Sequence, residues 1–392
     1  MMRDFSKLMM QILSNLMILL LLTSCAPTPK PNPEPTPMQL EVAIPLLTTQ
    51  LFSQVKESQS VFDGFGNQQV VLDPFIDINS GEVVEVSRDI ETLITNEAKN
   101  KFEQFTITRL TPEALTQANY LMTGVIRYDD YGAGQKFYRV LSSIVDLKTG
   151  AVVAHSKAWI ADRKLAYKPR ISNPIPSAKD QDCKDVAQSE VGTNVSQQKC
   201  YAARETQATL VAAEAAYEAG NYSEALDLFK KVTASSDGQL MRAYSGLYQT
   251  YKNLGDQAGA KEAFDKLVEL GVNNQELNAR FLFLVDKTEF NQELKSEYAL
   301  WLQSMADYFS NTNLCFNIIG HSSKSGSPDY NKKLSLRRAE KVQQELATYV
   351  PALQKKIQIY GEGFDKNLVG SGTDDDQDAI DRRVEFKIVD CS

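Results

Sequence analysis

The stretch IIGHSSKSGSPDYNKKLSLRRAEKV, from Ile318 to Val342, decides how the carboxy-terminal part of this chain folds. It reads as an apolar strand, a loop of small polar residues and a helix from near Asp329 to about Tyr349. Gly320 and Gly326 relax the loop backbone, and Ser327-Pro328-Asp329 is a helix-start sequence. On that helix Tyr330, Leu334, Arg338, Val342 and Leu346 recur every four residues. The arginine therefore shares a ridge expected to face the protein, where a cation calls for an anion.

Several spaced motifs extend this reading: Gly320, His321, Asn331, Leu334, Ser335, Arg338 and Ala339, the Gly361-Glu362-Gly363 turn and the closing Arg382-Arg383-Val384. With them the region from about 278 to 390 resembles the OmpA-like C-terminal domain. That family includes outer-membrane protein A, peptidoglycan-associated lipoprotein and flagellar-motor anchors. The resemblance implies a βαβαββ fold, with strands near 281–285, 314–319, 356–360 and 384–389 and helices near 292–310 and 329–349.

It also implies a site for the peptidoglycan stem peptide. In the family a loop aspartate pairs with the ammonium of diaminopimelate while the helix arginine grips a carboxylate, and such charge-assisted contacts are roughly twice as strong as neutral ones. Arg338 matches that arginine, but the aspartate position, fifteen residues earlier, holds Ser323. Arg338, Ser323, His321, Asn331 and Arg382 are the candidate peptidoglycan-binding residues. Two readings stay open. Ser323 accepts a hydrogen bond from the ammonium, with Asp329 or another carboxylate compensating, and binding is weakened or altered. Alternatively the fold is a docking module and Arg338 is a solvated helix residue.

The amino terminus carries Arg3 and Lys7, a largely apolar run from Leu8 to Leu22, and then Leu22-Thr23-Ser24-Cys25. The run is short for a membrane span and reads as a secretion signal over residues 1–24. Its last four residues resemble a bacterial lipobox, which implies cleavage before Cys25 and lipidation of its thiol. Ala26 in the next position favours the outer membrane, with the chain on its periplasmic face. From Pro27 to Pro37 proline alternates with other residues, as in an extended polyproline spacer over 25–39.

The chain has 392 residues, enough for two or three domains, and a formal charge of −8. No basic patch with interleaved aromatics is present, so nucleic acid is not an expected partner. Four cysteines follow Cys25, and in an exported protein they suggest two disulfides; we favour Cys183 with Cys200 and Cys315 with Cys391. His155 and His321 are far apart in sequence and no metal spacing occurs, so neither a metal nor a cofactor is expected. The run Asp374-Asp375-Asp376-Gln377-Asp378 with Glu385 imitates a calcium loop, but Ala379 stands where a glycine is required. No nucleophile elbow, phosphate loop or zinc-protease helix appears, which argues against an enzyme.

Between 40 and 168 strand-like and helical runs alternate. Strands are expected at Val70 to Ile76, Phe105 to Leu110, Tyr120 to Tyr128, Phe137 to Asp146 and Ala151 to Ala161, with helices at Ser87 to Phe102 and Thr111 to Asn119. This predicts an α/β domain with a mixed sheet, and Lys148-Thr149-Gly150 as a hairpin turn. His155 and Trp159 fall on one face of the last strand and read as ordinary sheet residues. Ala118 to Gly124 and Val145 to Gly150 resemble a group of envelope lipoproteins that includes CsgG, LpoB and FlgO-type proteins. No long amphipathic hairpins suggest a pore, so protein docking is the implied role.

Residues 169–200 read as an exposed linker pinned by a disulfide, and 201–272 as alanine-rich helices. Gly220 to Phe229 and Gly255 to Phe264 echo one another 35 residues apart, each with alanine and phenylalanine four apart, which resembles the tetratricopeptide repeat. Two repeats are fewer than the usual three, so they are expected to stack on a neighbouring domain. They would serve as a peptide-binding surface or as a rigid spacer. With 273–392 as the OmpA-like domain, the sequence reads as multidomain α/β: a lipoprotein anchor or scaffold linking an unidentified envelope machine to the cell wall. The alternative is a regulator that activates a peptidoglycan synthase through its amino-terminal domain.

Overall fold

The computed structural model describes residues 34–59, 66–162, 165–176, 182–279, 281, 283, 287–290, 294–367, 372, 378 and 381–391. The expected signal peptide, Cys25, the acidic run Asp374 to Asp376 and much of the strand near 281–285 lie outside these residues.

The first element among the described residues, α1 (Leu40–Ser58), was not foreseen. Leu40, Ile44, Leu47, Leu51 and Val55 form a stripe at helical spacing, and all are buried. Strand β1 (Gln68–Leu72) stops at Asp73-Pro74, and the chain resumes as β2 (Ile76–Asp77) further along the sheet. The single strand expected from Val70 to Ile76 is thus two, because proline brings no amide proton to a ladder. Helix α2 (Glu85–Lys101) leads to β3 (Phe105–Arg109), and the helix expected from Thr111 to Asn119 shrinks to α3 (Pro112–Leu115).

The long hairpin strands β4 (Tyr120–Gly132), β5 (Gln135–Asp146) and β6 (Val152–Ile160) complete a mixed sheet of order β3-β1-β4-β5-β6, with β2 beside β4. β1 runs parallel to β3 and β4, while β4, β5 and β6 are antiparallel. One core joins the buried faces of α1 and α2 to Val70, Met122, Val140 and Ile160 of the sheet.

The stretch 169–200 is not the exposed excursion expected. Val186, Ala187 and Val195 are buried, Asn194 bridges to Ala151, and the Ser143 hydroxyl lies 3.1 Å from the carbonyls of both Ala187 and Ser189. Ser143 also contacts His155 Nδ1 at 3.0 Å, so His155 belongs to this clamp. Within the stretch are α4 (Asp182–Ala187) and α5 (Lys199–Ala202). Cys200 is disulfide-bonded, while the side chain of its expected partner Cys183 lies outside the described residues.

Four helices follow: α6 (Arg204–Glu218), α7 (Tyr222–Ala234), α8 (Met241–Leu254) and α9 (Gln257–Asn273). The echoing residues Ala225, Phe229, Ala260 and Phe264 are all buried. A side chain on Gly246 would meet the Phe229 ring at 2.2 Å, so glycine sets how closely α7 and α8 approach.

Both ends of this helical stack are covered. Ala208 and Val211 of α6 join Val71, Leu110 and Leu121 of the first sheet, and Gln207 Nε2 donates to Asp73 Oδ1 at 3.0 Å. Beside them Glu218 takes Arg88 and Arg170, and Glu214 binds Arg242 through both oxygens at 2.5 and 2.6 Å. At the other end Trp301 of α10 (Lys295–Ser310) stacks on Phe264 and donates from Nε1 to the Tyr248 hydroxyl at 2.8 Å. A single hydrophobic core therefore runs from Leu210 in the helices to Phe386 in the last strand.

The second sheet has the order β8-β7-β9, from β7 (Cys315–His321), β8 (Ile357–Gly363) and β9 (Val384–Val389). β8 is parallel to β7 and β9 antiparallel to it, and Leu277 bridges to Phe386 on the far side of β9. Helix α11 (Pro328–Tyr349) lies across the sheet. A side chain at Gly320 would meet the Ser335 carbonyl at 2.0 Å, and one at Gly361 the Lys332 carbonyl at 2.5 Å. These two glycines of the sequence motif thus let helix and strands touch backbone to backbone. Cys315 and Cys391 form a disulfide that ties the start of β7 to the residues after β9.

Candidate functional site

The loop leaving β7 and the helix that follows are held together by the polar residues of the Ile318–Val342 stretch. Ser327 caps α11 by accepting from Tyr330 N at 3.3 Å, and Pro328 takes the first helical position, where its missing amide proton costs nothing. One turn on, Asn331 donates from Nδ2 to the carbonyls of Ser325 and, at 3.1 Å, Ser327. It sets the loop's shape. Ser323, 5% exposed, lies with its hydroxyl 3.5 Å from that of Ser325. Ser335 Oγ accepts from Gly363 N at 2.9 Å and fastens the same helix to β8.

Arg338 stands two turns beyond Asn331 and is 3% exposed. Its guanidinium lies 5.0 Å from the centre of the Phe283 ring, and Nε donates to the Lys287 carbonyl at 3.3 Å. The reading of Arg338 as a solvated helix residue is overturned. Tyr330, placed on the same ridge by the four-residue spacing, is instead 41% exposed, and Asn331 takes the buried place.

His321 does not face outward. Its side chain is fully buried, with Nε2 3.3 Å from Glu385 Oε1, off the line of a hydrogen bond. The same oxygen accepts from Arg383 through Nε at 2.8 Å and Nη2 at 2.5 Å, and Nη2 also reaches the Lys366 carbonyl at 3.2 Å. Burial works to raise the Glu385 carboxyl, but the His321 contact and the Arg383 charge overcome it and hold it down at about 2. This His321–Glu385–Arg383 cluster pins the root of the loop.

Of the candidates, Ser323, Asn331 and His321 are brought to one loop. Arg338 sits along the helix against Phe283 and Lys287, and Arg382 is half-buried just before β9. Asp329, the compensating carboxylate considered above, is exposed in the first turn of α11. The sequence reading missed Arg383 and Glu385 as partners of His321, although the alternation of β9 places both on one face. It also missed Asp381, which is fully buried, and Asp378, read as the end of a solvated acidic run, is fully buried too. Among the described residues no group of three or more His, Cys, Asp or Glu could hold a metal, and no helix is long and apolar enough to cross a membrane.

Residues 282–381 match the OmpA family. The chain is similar to the peptidoglycan-associated lipoprotein from Burkholderia pseudomallei, at 24% identity over 28% of this chain and 88% of that one, with a TM-score of 0.25. It is similar to the cell wall anchor of the T6SS from Pseudomonas aeruginosa, at 18% identity over 33% of this chain and 97% of that one, with a TM-score of 0.26. It is also similar to the periplasmic domain of Helicobacter pylori MotB, at 15% identity over 29% of this chain and 71% of that one, with a TM-score of 0.24. No curated protein matches it.

Proposed function

We propose that this chain is a non-catalytic scaffold of the bacterial envelope, held at the outer membrane by lipid on Cys25 and binding the peptidoglycan stem peptide through its carboxy-terminal domain. The observation that carries this reading is Arg338, a guanidinium 3% exposed within the segment that matches the OmpA family. A guanidinium presents a planar fork of donors that matches a ligand carboxylate. Ser323 offers a hydroxyl where the family has an aspartate, so the grip on the ligand's ammonium is weaker than a full ion pair.

The amino-terminal α/β domain docks the protein partner from an envelope machine, and the tetratricopeptide-like helices act as a spacer. Their two ends are already spent on the first sheet and on α10, and the continuous core from Leu210 to Phe386 lets load pass between helices and wall-binding domain. The test is sedimentation of the full chain with purified peptidoglycan sacculi. Retention should fall about tenfold with Arg338→Ala, the loss of one charge-assisted contact, and rise with Ser323→Asp. Unchanged retention in Arg338→Ala would show that Arg338 does not hold the ligand.

A further inference from the structure

β3 is the outer strand of the first sheet, paired with β1 on one side and with no strand among the described residues on the other. In this parallel register Gln68 N donates to the Gln104 carbonyl and Leu110 N to that of Leu72, so the even-numbered residues turn their backbone groups toward β1. Ile107 and Arg109 turn theirs outward, where no backbone partner meets them among the described residues. Beside this edge, between β3 and α2, lies a cleft of about 260 Å³ lined by Leu72, Glu91, Thr92, Thr95, Ile107 and Arg109. Phe105 belongs to the core under α2 and Ile107 packs against it, and strand alternation carries Arg109 to the same face. Arg109 is half-buried, so the cleft gives access to it, yet its Nε and Nη2 are shut off from water without a hydrogen-bond partner. No ion pair joins it to a carboxylate among the described residues. On α2, Glu91 binds Arg88 through Oε2 at 2.9 Å, while its Oε1 is buried and unpartnered. Shielded donors and acceptors left unpaired are unfavourable, so a guest that pairs both ends of the cleft is favoured.

We propose that β3 is the docking edge for an extended segment of the protein partner, which joins the sheet as a further strand and sets an acidic side chain in the cleft against Arg109. This rests on the docking role given to the amino-terminal domain, and it names the surface and the chemistry of the segment. Backbone bonds to Ile107 and Arg109 hold the segment, and the cleft selects among side chains. The carboxylate takes the guanidinium, and a donor beside it takes Glu91 Oε1. A second copy of this chain suits the edge less well. The strand Phe105-Thr106-Ile107-Thr108-Arg109 carries one cation and no anion, and a charge on an edge strand discourages pairing with its own kind.

The probes are alternating Thr/Val peptides with a central Asp, Asn or Lys, added to the full chain and to Arg109→Gln and Arg109→Glu. Hydrogen exchange reads protection across 105–109, titration reads affinity, and thermal melting checks that each variant folds. The Asp peptide should slow exchange in β3 and bind about fivefold more tightly than the Asn peptide. That preference should vanish in Arg109→Gln and turn to the Lys peptide in Arg109→Glu. If neither variant folds, the Asp-over-Asn preference of the parent chain decides. No protection by any peptide, or equal binding of the Asp and Asn peptides, overturns the proposal. Protection of β3 that grows with chain concentration alone gives the edge to a second copy and overturns it as well. In cells, a photo-crosslinking residue at exposed Thr108, or at exposed Lys148 in the β5–β6 turn, separates this inference from the reading beneath it. Adducts at Thr108 that Arg109→Glu abolishes support both. Adducts at Lys148 alone leave the docking role and overturn the β3 edge, and adducts at neither position overturn both.

Discussion

The indole of Trp301 lies parallel to the phenyl ring of Phe264, with centroids 5.5 Å apart and planes 4° from coplanar, and joins the last helix of the central stack to the first helix of the carboxy-terminal domain. Tyr248 takes the indole proton at 2.8 Å and donates to Glu297 at 3.0 Å, while Lys252 pairs with Glu297 at 2.6 Å. The junction is therefore a filled core with a polar rim. Trp301→Ala should cost about 3–5 kcal/mol, the usual cost of emptying such a position. Denaturant unfolding checks this, and proteolysis between Leu254 and Lys295 should become faster. A cost below about 1 kcal/mol would mean that the two parts are merely adjacent.

At the root of the candidate loop, Glu385→Gln should destabilise the chain by about 1.5–3 kcal/mol at pH 7, because the buried Arg383 guanidinium loses its anion. The sign of the pH effect follows from a folded carboxyl held at about 2 against an ordinary 4.5. Its contribution is present above about pH 4.5 and is lost as the pH falls toward 2. Melting curves of parent and variant should thus converge in acid. Parallel curves across that range would contradict the assignment.

Asp73 shows the opposite behaviour. Burial pushes its carboxyl from 3.8 up to about 6, although Arg242 and the Gln207 hydrogen bond oppose the rise. Whatever this site contributes is present below about pH 3.8 and is lost as the pH rises through 6. Asp73→Asn can still accept from Gln207, so it should raise stability by about 1–3 kcal/mol at pH 7.5 and make little difference at pH 3.5. Paired melts at the two pH values test this, and destabilisation at pH 7.5 would show that the charge is wanted there.

How much was legible in the sequence depended on how local the signal was. Ser327-Pro328 and the two motif glycines mark the start and seat of α11 because caps and close approaches are fixed by neighbouring residues, and the structure places that helix at Pro328–Tyr349. Strand β1 was read too long because a run of apolar residues hides the effect of one proline. The burial of Arg338 was half legible: a four-residue ridge puts it toward the protein, but only the fold supplies Phe283 and Lys287. Contacts across long separations, such as Gln207 with Asp73, 134 residues apart, or Arg338 with the Lys287 carbonyl, depend on how strands and layers are arranged and leave no local pattern. The stretch 169–200 looked like a linker from its prolines and polar residues, yet its few apolar side chains, Ile175, Val186 and Val195, are enough to seat it.

A grip on the cell wall through Arg338 should be visible inside the intact envelope. Amine-reactive crosslinking of cells, followed by isolation of detergent-washed sacculi, measures the fraction of chain held on the wall. The parent chain should show a substantial wall-bound fraction, and Arg338→Ala a fraction about tenfold lower at equal expression. Equal wall-bound fractions for the two would contradict it.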